Sequence, residues 1–212
     1  MTYPERIVHG TQVSEHFVQL CDSSESMADV AAAFLADAHS AGDTLLIVAR
    51  ESNWINIHRT LTARGVDVGA ETANGRLVAM NAVTKLAELS RRGVPHAPSF
   101  DMAIGQPVRA LAARGRLSIY GEMVDVLAEL DEVDAAIALE EMWNALAERA
   151  SFRLMCGYSS AHFVSRRAEL RLRDVCRAHT HVRSDDGDPL GGWLLKRTQL
   201  GFAGGAPRAS RS

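Results

Sequence analysis

The sequence predicts an α/β domain of three layers, a mainly parallel sheet with helices on both faces. Three observations lead there. Apolar strand-like runs alternate with segments of helical spacing between residues 16 and 158. Thr44–Ala49 reads TLLIVA, a continuous apolar run that suits a central strand covered on both sides. The chain has 212 residues, 47% of them hydrophobic, enough for one core with short extensions.

The elements follow in order. Phe17–Cys21 is the first strand, and Met27, Val30, Ala31, Phe34, Leu35 and Ala38 recur behind it at helical spacing. Ala41, Gly42 and Asp43 stop that helix before the Thr44–Ala49 strand. Glu51–Arg64 is a second helix with Trp54, Ile57 and Leu61 on one face, ended by Gly65. Arg76–Met80 is a third strand and Thr84–Ser90 a short helix. Arg91–Ser99, with Gly93, Pro95 and Pro98, reads as a loop. Phe100–Arg114 is a helix whose start Gly105 and Pro107 disturb. Arg116–Tyr120 is a fourth strand running directly into Gly121, Glu122 and Met123. Met123, Leu127 and Leu130 form one helical face. Ala136, Leu139, Trp143 and Leu146 form another, within Glu132–Arg149, and Phe152–Tyr158 is the fifth strand. An Arg-rich helix over Ala168–Ala178 and an acidic turn over Ser184–Asp188 come next, and Gly201–Ser212 has the composition of a disordered tail. The expected organisation is a flexible arm over residues 1–15, a domain over 16–183, and a partly disordered extension over 184–212.

The turn after the first strand is where a nucleotide-binding α/β protein carries its phosphate loop. That loop needs glycines for close backbone approach and a lysine for the phosphates. Cys21–Met27 contains neither. Asp22 and Glu25 are spaced as in a capping box, and carboxylates at a helix N-terminus repel a triphosphate. The scaffold therefore lacks a functional P-loop, and no nucleotide cofactor is expected. A net charge of −3 argues against a nucleic-acid or membrane surface. No apolar run approaches the roughly 20 residues that span a bilayer, and the first fifteen residues lack a signal-peptide core. Cys21, Cys156 and Cys176 are odd in number and widely spaced, which fits a reducing cytoplasm.

In open parallel sheets ligands bind beyond the carboxyl ends of the strands. The positional candidates are Cys21 and Asp22, Arg50 and Glu51, Asn81, Gly121 and Glu122, and Tyr158 and Ser159. Glu122 either caps the helix it begins or lines a small-molecule pocket with Tyr120, Tyr158 and His16 nearby, its carboxyl raised in pKa by burial. His16 is either bonded to backbone at a strand end or a ligand group or proton sensor. Glu51 reads as an exposed helix-start residue. Cys176, His179 and His181 spell C-x-x-H-x-H, a weak metal pattern that Cys156 or Cys21 would have to complete, against the simpler reading of a polar helix terminus. Otherwise Cys21 and Cys156 read as inert core thiols. No Ser-His-Asp arrangement can be assigned and G-x-S-x-G is absent.

Six phrases, taken in order, carry a resemblance. They are His16–Asp22 (HFVQLCD), Gly75–Val78 (GRLV), Arg116–Met123 (RLSIYGEM), Leu139–Asn144 (LEEMWN), Phe152–Tyr158 (FRLMCGY) and Cys176–Val182 (CRAHTHV). Together they resemble the MEDS domain, the sensory domain named after methanogens, methylotrophs and a dichloromethane-responsive regulator. The resemblance implies a degenerate relative of the RecA/KaiC ATPases and a sensor of small molecules. It also implies a partner, a histidine kinase or a transcription regulator, with assembly into a homo-oligomer left open. The chain departs from the family where its first strand ends in Leu20 and Cys21 in place of an aromatic. Three functions stay open at this point: a non-enzymatic ligand-sensing domain, a protein-interaction adaptor or self-assembling inactive ATPase-like module, and a metal- or Glu-dependent enzyme.

Overall fold

A computed structural model describes residues 14–164, 166–184, 190–194 and 196. The order of elements is β1 (Glu15–Cys21), α1 (Ser24–Ser40), β2 (Thr44–Ala49), α2 (Glu51–Ala63), α3 (Val68–Ala73), β3 (Leu77–Asn81) and α4 (Ala82–Leu89). A small antiparallel hairpin follows, β4 (Ser90–Arg91) and β5 (Val94–Pro95). Then come α5 (Ala97–Phe100), a π turn over Asp101–Gly105, α6 (Gln106–Ala112), β6 (Leu117–Gly121), α7 (Met123–Glu129) and α8 (Val133–Ala147). Next come β7 (Arg153–Ser159), a 3₁₀ turn over Ser160–Phe163, α9 (Arg166–Arg177) and β8 (His181–Ser184). Among the described residues six strands form one sheet in the order β3-β2-β6-β7-β1-β8, and every pair in it is parallel. β1, β2 and β6 are interior, as their apolar text predicts.

Side-chain alternation divides the core in two. Val18, Leu20, Leu46, Val48, Ile119, Leu154, Cys156 and Tyr158 face α4–α8. Phe17, Cys21, Leu45, Ile47, Tyr120 and Met155 face α1 and α2. Trp143, expected as a packing residue, is 1% exposed and meets Phe100 and Phe152 edge-on.

Several expectations need correction. The first strand begins at Glu15, inside the expected arm; residues 1–13 lie outside the description. The loop expected over Arg91–Ser99 contains the hairpin β4–β5. Gly105 and Pro107 do not delay the helix; a π turn beginning at Asp101 passes directly into α6 and absorbs the missing proline donor. The fifth expected strand is joined by a sixth, β8, which pairs Phe17–Leu20 with His181–Ser184 and lays Arg183 over the Phe17 ring. Its residues are half-buried or exposed, as suits a short charged edge strand. Ser184 thus ends a strand, and the rest of the expected acidic turn and the tail from Gly201 lie outside the described residues. Leu194, within the expected extension, is buried in the α8-side core. β7 separates β1 from β6, so the first and fourth expected strands are not neighbours.

Gly157 in β7 shows what the sheet requires on its α1 side. A Cβ there would lie 2.9 Å from the Tyr120 hydroxyl and 3.0 Å from Met27 Sδ. Gly157→Ala is therefore expected to destabilise the fold by about 1–3 kcal/mol through overpacking. Thermal unfolding should read this as a fall of roughly 2–10 °C, and an unchanged melting temperature would contradict it.

Candidate functional site

The turn after β1 is closed by the chain's own groups. Ser23, not Asp22, is the N-cap of α1, and its Oγ accepts from the Ser26 backbone N–H at 3.1 Å. The expected Asp22–Glu25 box is therefore shifted by one residue. Asp22 and Glu25 stand exposed beside the cap, and Glu25 occupies the first turn of the helix.

At the carboxyl ends of β2, β6 and β7 lies a network built on two carboxylates. Glu122 is fully buried. It does not cap its own helix, α7. Its Oε2 accepts the backbone N–H of Arg50 at the start of α2 at 2.8 Å. Its Oε1 accepts from Asn53 Nδ2 at 3.0 Å and from the Tyr120 hydroxyl at 2.8 Å. Three donors on two oxygens use the group as an ionised acceptor. Burial pushes Glu122 above its ordinary pKa, and the bonds from Arg50, Asn53 and Tyr120 oppose that only in part.

Asp125, in the first turn of α7, takes the Arg50 guanidinium at 2.5 Å, the Ser159 backbone N–H at 2.7 Å and His162 Nε2 at 3.2 Å. Burial pushes Asp125 up, but the bonds from His162 and Ser159 and the Arg50 charge outweigh it and hold the carboxyl below its usual range. Arg50 reaches outward as well, to the exposed Glu129 at 2.8 Å. The other strand-end candidates are accounted for locally. Glu51 is exposed, and Asn81 caps α4 through the Thr84 N–H.

A second polar cluster sits inside the core on the opposite face of the sheet. Glu140 projects from α8 and has no exposure. His16 Nε2 lies 3.1 Å from its Oε2, and His179 Nε2 lies 3.2 Å from its Oε1. Cys156 Sγ donates to Oε2 at 3.3 Å and the Tyr158 hydroxyl to Oε1 at 3.0 Å. One ligating atom each from His16, Glu140, Cys156 and His179 falls within 4.8 Å of all the others. Burial pushes Glu140 up, yet the bonds and charges of His179 and His16 outweigh it and hold the carboxyl far below its ordinary range. Burial pulls His179 down, and Glu140 more than reverses it. Burial and the neighbouring Glu140 push the Cys156 thiol and the Tyr158 phenol well up.

The structure thus sorts the sequence candidates into two places. Tyr120, Glu122 and Arg50 come together at the strand ends. Tyr158 and His16 do not join them; they serve Glu140 on the other face, because odd and even strand positions point apart and His16 lies at the far end of its strand, next after Glu15. Asp22 joins neither. C-x-x-H-x-H does not assemble, since His181 is exposed on β8, while His179 alone turns inward. Cys156 is a buried thiol that donates to Glu140, and Cys21 lies in the other core. Sequence reading missed Asp125, His162, Glu140 and Asn144. Asp125 and Glu140 were detectable as acids within apolar helical faces, beside Val124 and Val126 in one case and Leu139 and Trp143 in the other.

Comparison with known proteins adds the following. The family model described as MEDS, the methanogen/methylotroph, DcmR sensory domain, matches residues 15–180. A solved KaiC-like protein from the hyperthermophilic archaeon Pyrococcus horikoshii OT3 is similar at 20% identity and a TM-score of 0.47, over 71% of this chain and 66% of that one. The chain thus spans slightly under two thirds of that protein's length. No curated protein matches.

Asp125 makes the strand-end network testable by pH. Because its folded pKa is depressed, its contribution is complete above the unfolded value near pH 4 and is lost as pH falls through the folded value. Asp125→Asn should therefore destabilise the protein by about 2–4 kcal/mol at pH 7, as expected when one partner of a buried pair is removed. The gap to wild type should narrow below about pH 4. Urea unfolding at pH 7 and pH 3 checks both, and a gap independent of pH would contradict the assignment.

Proposed function

The chain belongs to the MEDS family, and from that premise we propose that it is a non-enzymatic small-molecule sensory domain acting with a separate regulator or kinase. The observation that carries this reading is the turn after β1. Its helix N-terminus is satisfied by Ser23 and flanked by Asp22 and Glu25, with no glycine or lysine between Cys21 and Met27. A phosphate has neither a cradle nor a counter-charge there. The neighbouring strand-end carboxylates are held by the protein's own donors, so they are not free to position a nucleophilic water.

The ligand site in this reading is the outer edge of the strand-end network. Arg50 and His162 keep partial exposure there, at 20% of each side chain, over the buried Glu122 and Tyr120. Arg50 can exchange its surface partner Glu129 for a polar ligand group while Asp125 keeps it in place. Surface ion pairs contribute about 0–1 kcal/mol, so that exchange is easy. The same movement changes what Glu129, on α7, presents to a partner protein.

Calorimetric titration with MgATP is expected to show no binding at micromolar affinity, and micromolar binding with hydrolysis would overturn the non-enzymatic reading. A thermal-shift screen of small uncharged and anionic metabolites supplies the positive test, since stabilisation by a ligand grows with its concentration over Kd. A hit is expected to stabilise wild type and to lose about tenfold or more in affinity in Arg50→Lys, whose point charge does not reproduce the guanidinium fork. Equal stabilisation of both would move the ligand site elsewhere.

A further inference from the structure

We propose that His16, Glu140, Cys156 and His179 bind one divalent transition-metal ion of the zinc type. This site is separate from the strand-end network and lies on the other face of the sheet.

Two ring protons are fixed by the acceptors beside them. His179 Nδ1 lies 2.7 Å from the Val175 carbonyl, which can only accept, so Nδ1 carries a proton. Asn144 commits its Nδ2 to the Ala178 carbonyl at 2.8 Å and therefore turns Oδ1 toward His16 Nδ1, also at 2.8 Å. His16 is thereby fixed in the same tautomer. Both Nε2 atoms are thus the ring atoms aimed at Glu140 oxygens, 3.1 and 3.2 Å away, and the His179 side chain has no exposure. A carboxylate facing two imidazole nitrogens in the core needs positive charge between them. A metal ion supplies it to both rings at once and takes the Cys156 sulfur as a further donor.

The spacing agrees. Zinc bonds of about 2.0–2.3 Å set tetrahedral donor–donor edges of about 3.3–3.8 Å. His16 Nε2 to Cys156 Sγ and Cys156 Sγ to Glu140 Oε2 are each 3.3 Å; the histidine–carboxylate contacts of 3.1 and 3.2 Å fall on different carboxylate oxygens, and the four ligating atoms lie within 4.8 Å of one another, so the longer edges close on binding. The surroundings agree as well. Metal-bound histidines characteristically donate their other N–H to a carbonyl or carboxylate, as both do here, and the Tyr158 hydroxyl holds the carboxylate. Two imidazoles, one thiolate and one carboxylate favour zinc or cobalt over magnesium or calcium.

Four protein donors leave no position for water, which is the pattern of a structural or regulatory ion rather than a catalytic one. The ion would join β1, α8, β7 and the segment between α9 and β8. A surface groove of about 380 Å³ is lined by Asn144, which bonds the His16 ring, and by Ala178, next to His179.

The test uses the full chain, free of any affinity tag, stripped with chelator and titrated with cobalt(II). The expected result is one equivalent bound, with visible tetrahedral bands and a near-ultraviolet thiolate charge-transfer band, all abolished by added zinc. Cys156→Ser should remove the charge-transfer band, and Cys176→Ser should leave it intact. Asn144→Ala, which frees the His16 ring without deleting a ligand, should weaken cobalt binding about 10–100-fold. Circular dichroism establishes that each variant is folded; if Cys156→Ser is not, His179→Gln and Asn144→Ala carry the test. Failure of folded wild type to bind cobalt at high micromolar concentration would overturn the proposal. So would a cobalt spectrum without a thiolate band, or one that stays unchanged in folded Cys156→Ser, His179→Gln and Asn144→Ala.

Discussion

A carboxylate with no exposure, in the middle of an apolar helix, sets the strongest constraint on this molecule. Glu140 cannot be ionised within the core of α8 unless other elements bring donors or charge to it. β1 brings His16, β7 brings Cys156 and Tyr158, and the segment after α9 brings His179. That convergence explains why the chain returns across the sheet after α9. Thr180 then closes onto the His16 backbone, its N–H donating to the carbonyl at 2.7 Å, and β8 continues the pairing along β1. The edge of the sheet is thus tied to its centre through one buried charge.

The strand-end network repeats the same solution on the opposite face. Tyr120 serves Glu122 as Tyr158 serves Glu140, each phenol donating to a buried carboxylate. The difference lies in exposure. Arg50 and His162 open the Glu122–Asp125 network to solvent, whereas the Glu140 cluster is enclosed. An open network can exchange partners more readily than an enclosed one. The enclosed cluster suits a fixed tie.

Much of the fold was legible because its signals are local. Thr44–Ala49 is apolar throughout and emerged with the same bounds in the structure. β8 was not legible: His181 and Arg183 alternate with Val182 and Ser184, and only their pairing with β1 makes them a strand. The candidate site was half legible. The rule that ligands sit at strand ends named Glu122 and Arg50, and Tyr120 entered as the neighbour two residues before Glu122. It found no face, so Tyr158 and His16 were assigned to the wrong neighbours. Glu140 escaped because helical periodicity selects apolar positions and passes over an acid sharing their face. His179 met His16 only through the tertiary fold, with ring centroids 4.2 Å apart.

The central claim, that Glu140 ties the C-terminal segment to the sheet, is tested most directly by hydrogen exchange on Glu140→Leu. That substitution keeps the helix and the core volume but removes the carboxylate around which His16, Cys156, Tyr158 and His179 converge. Amides of α9, β8 and β1 are expected to exchange faster, while those of β2, β3 and β6 keep wild-type protection, because only the tied edge opens locally. Unchanged protection of β8 and α9 in the folded variant would contradict the claim.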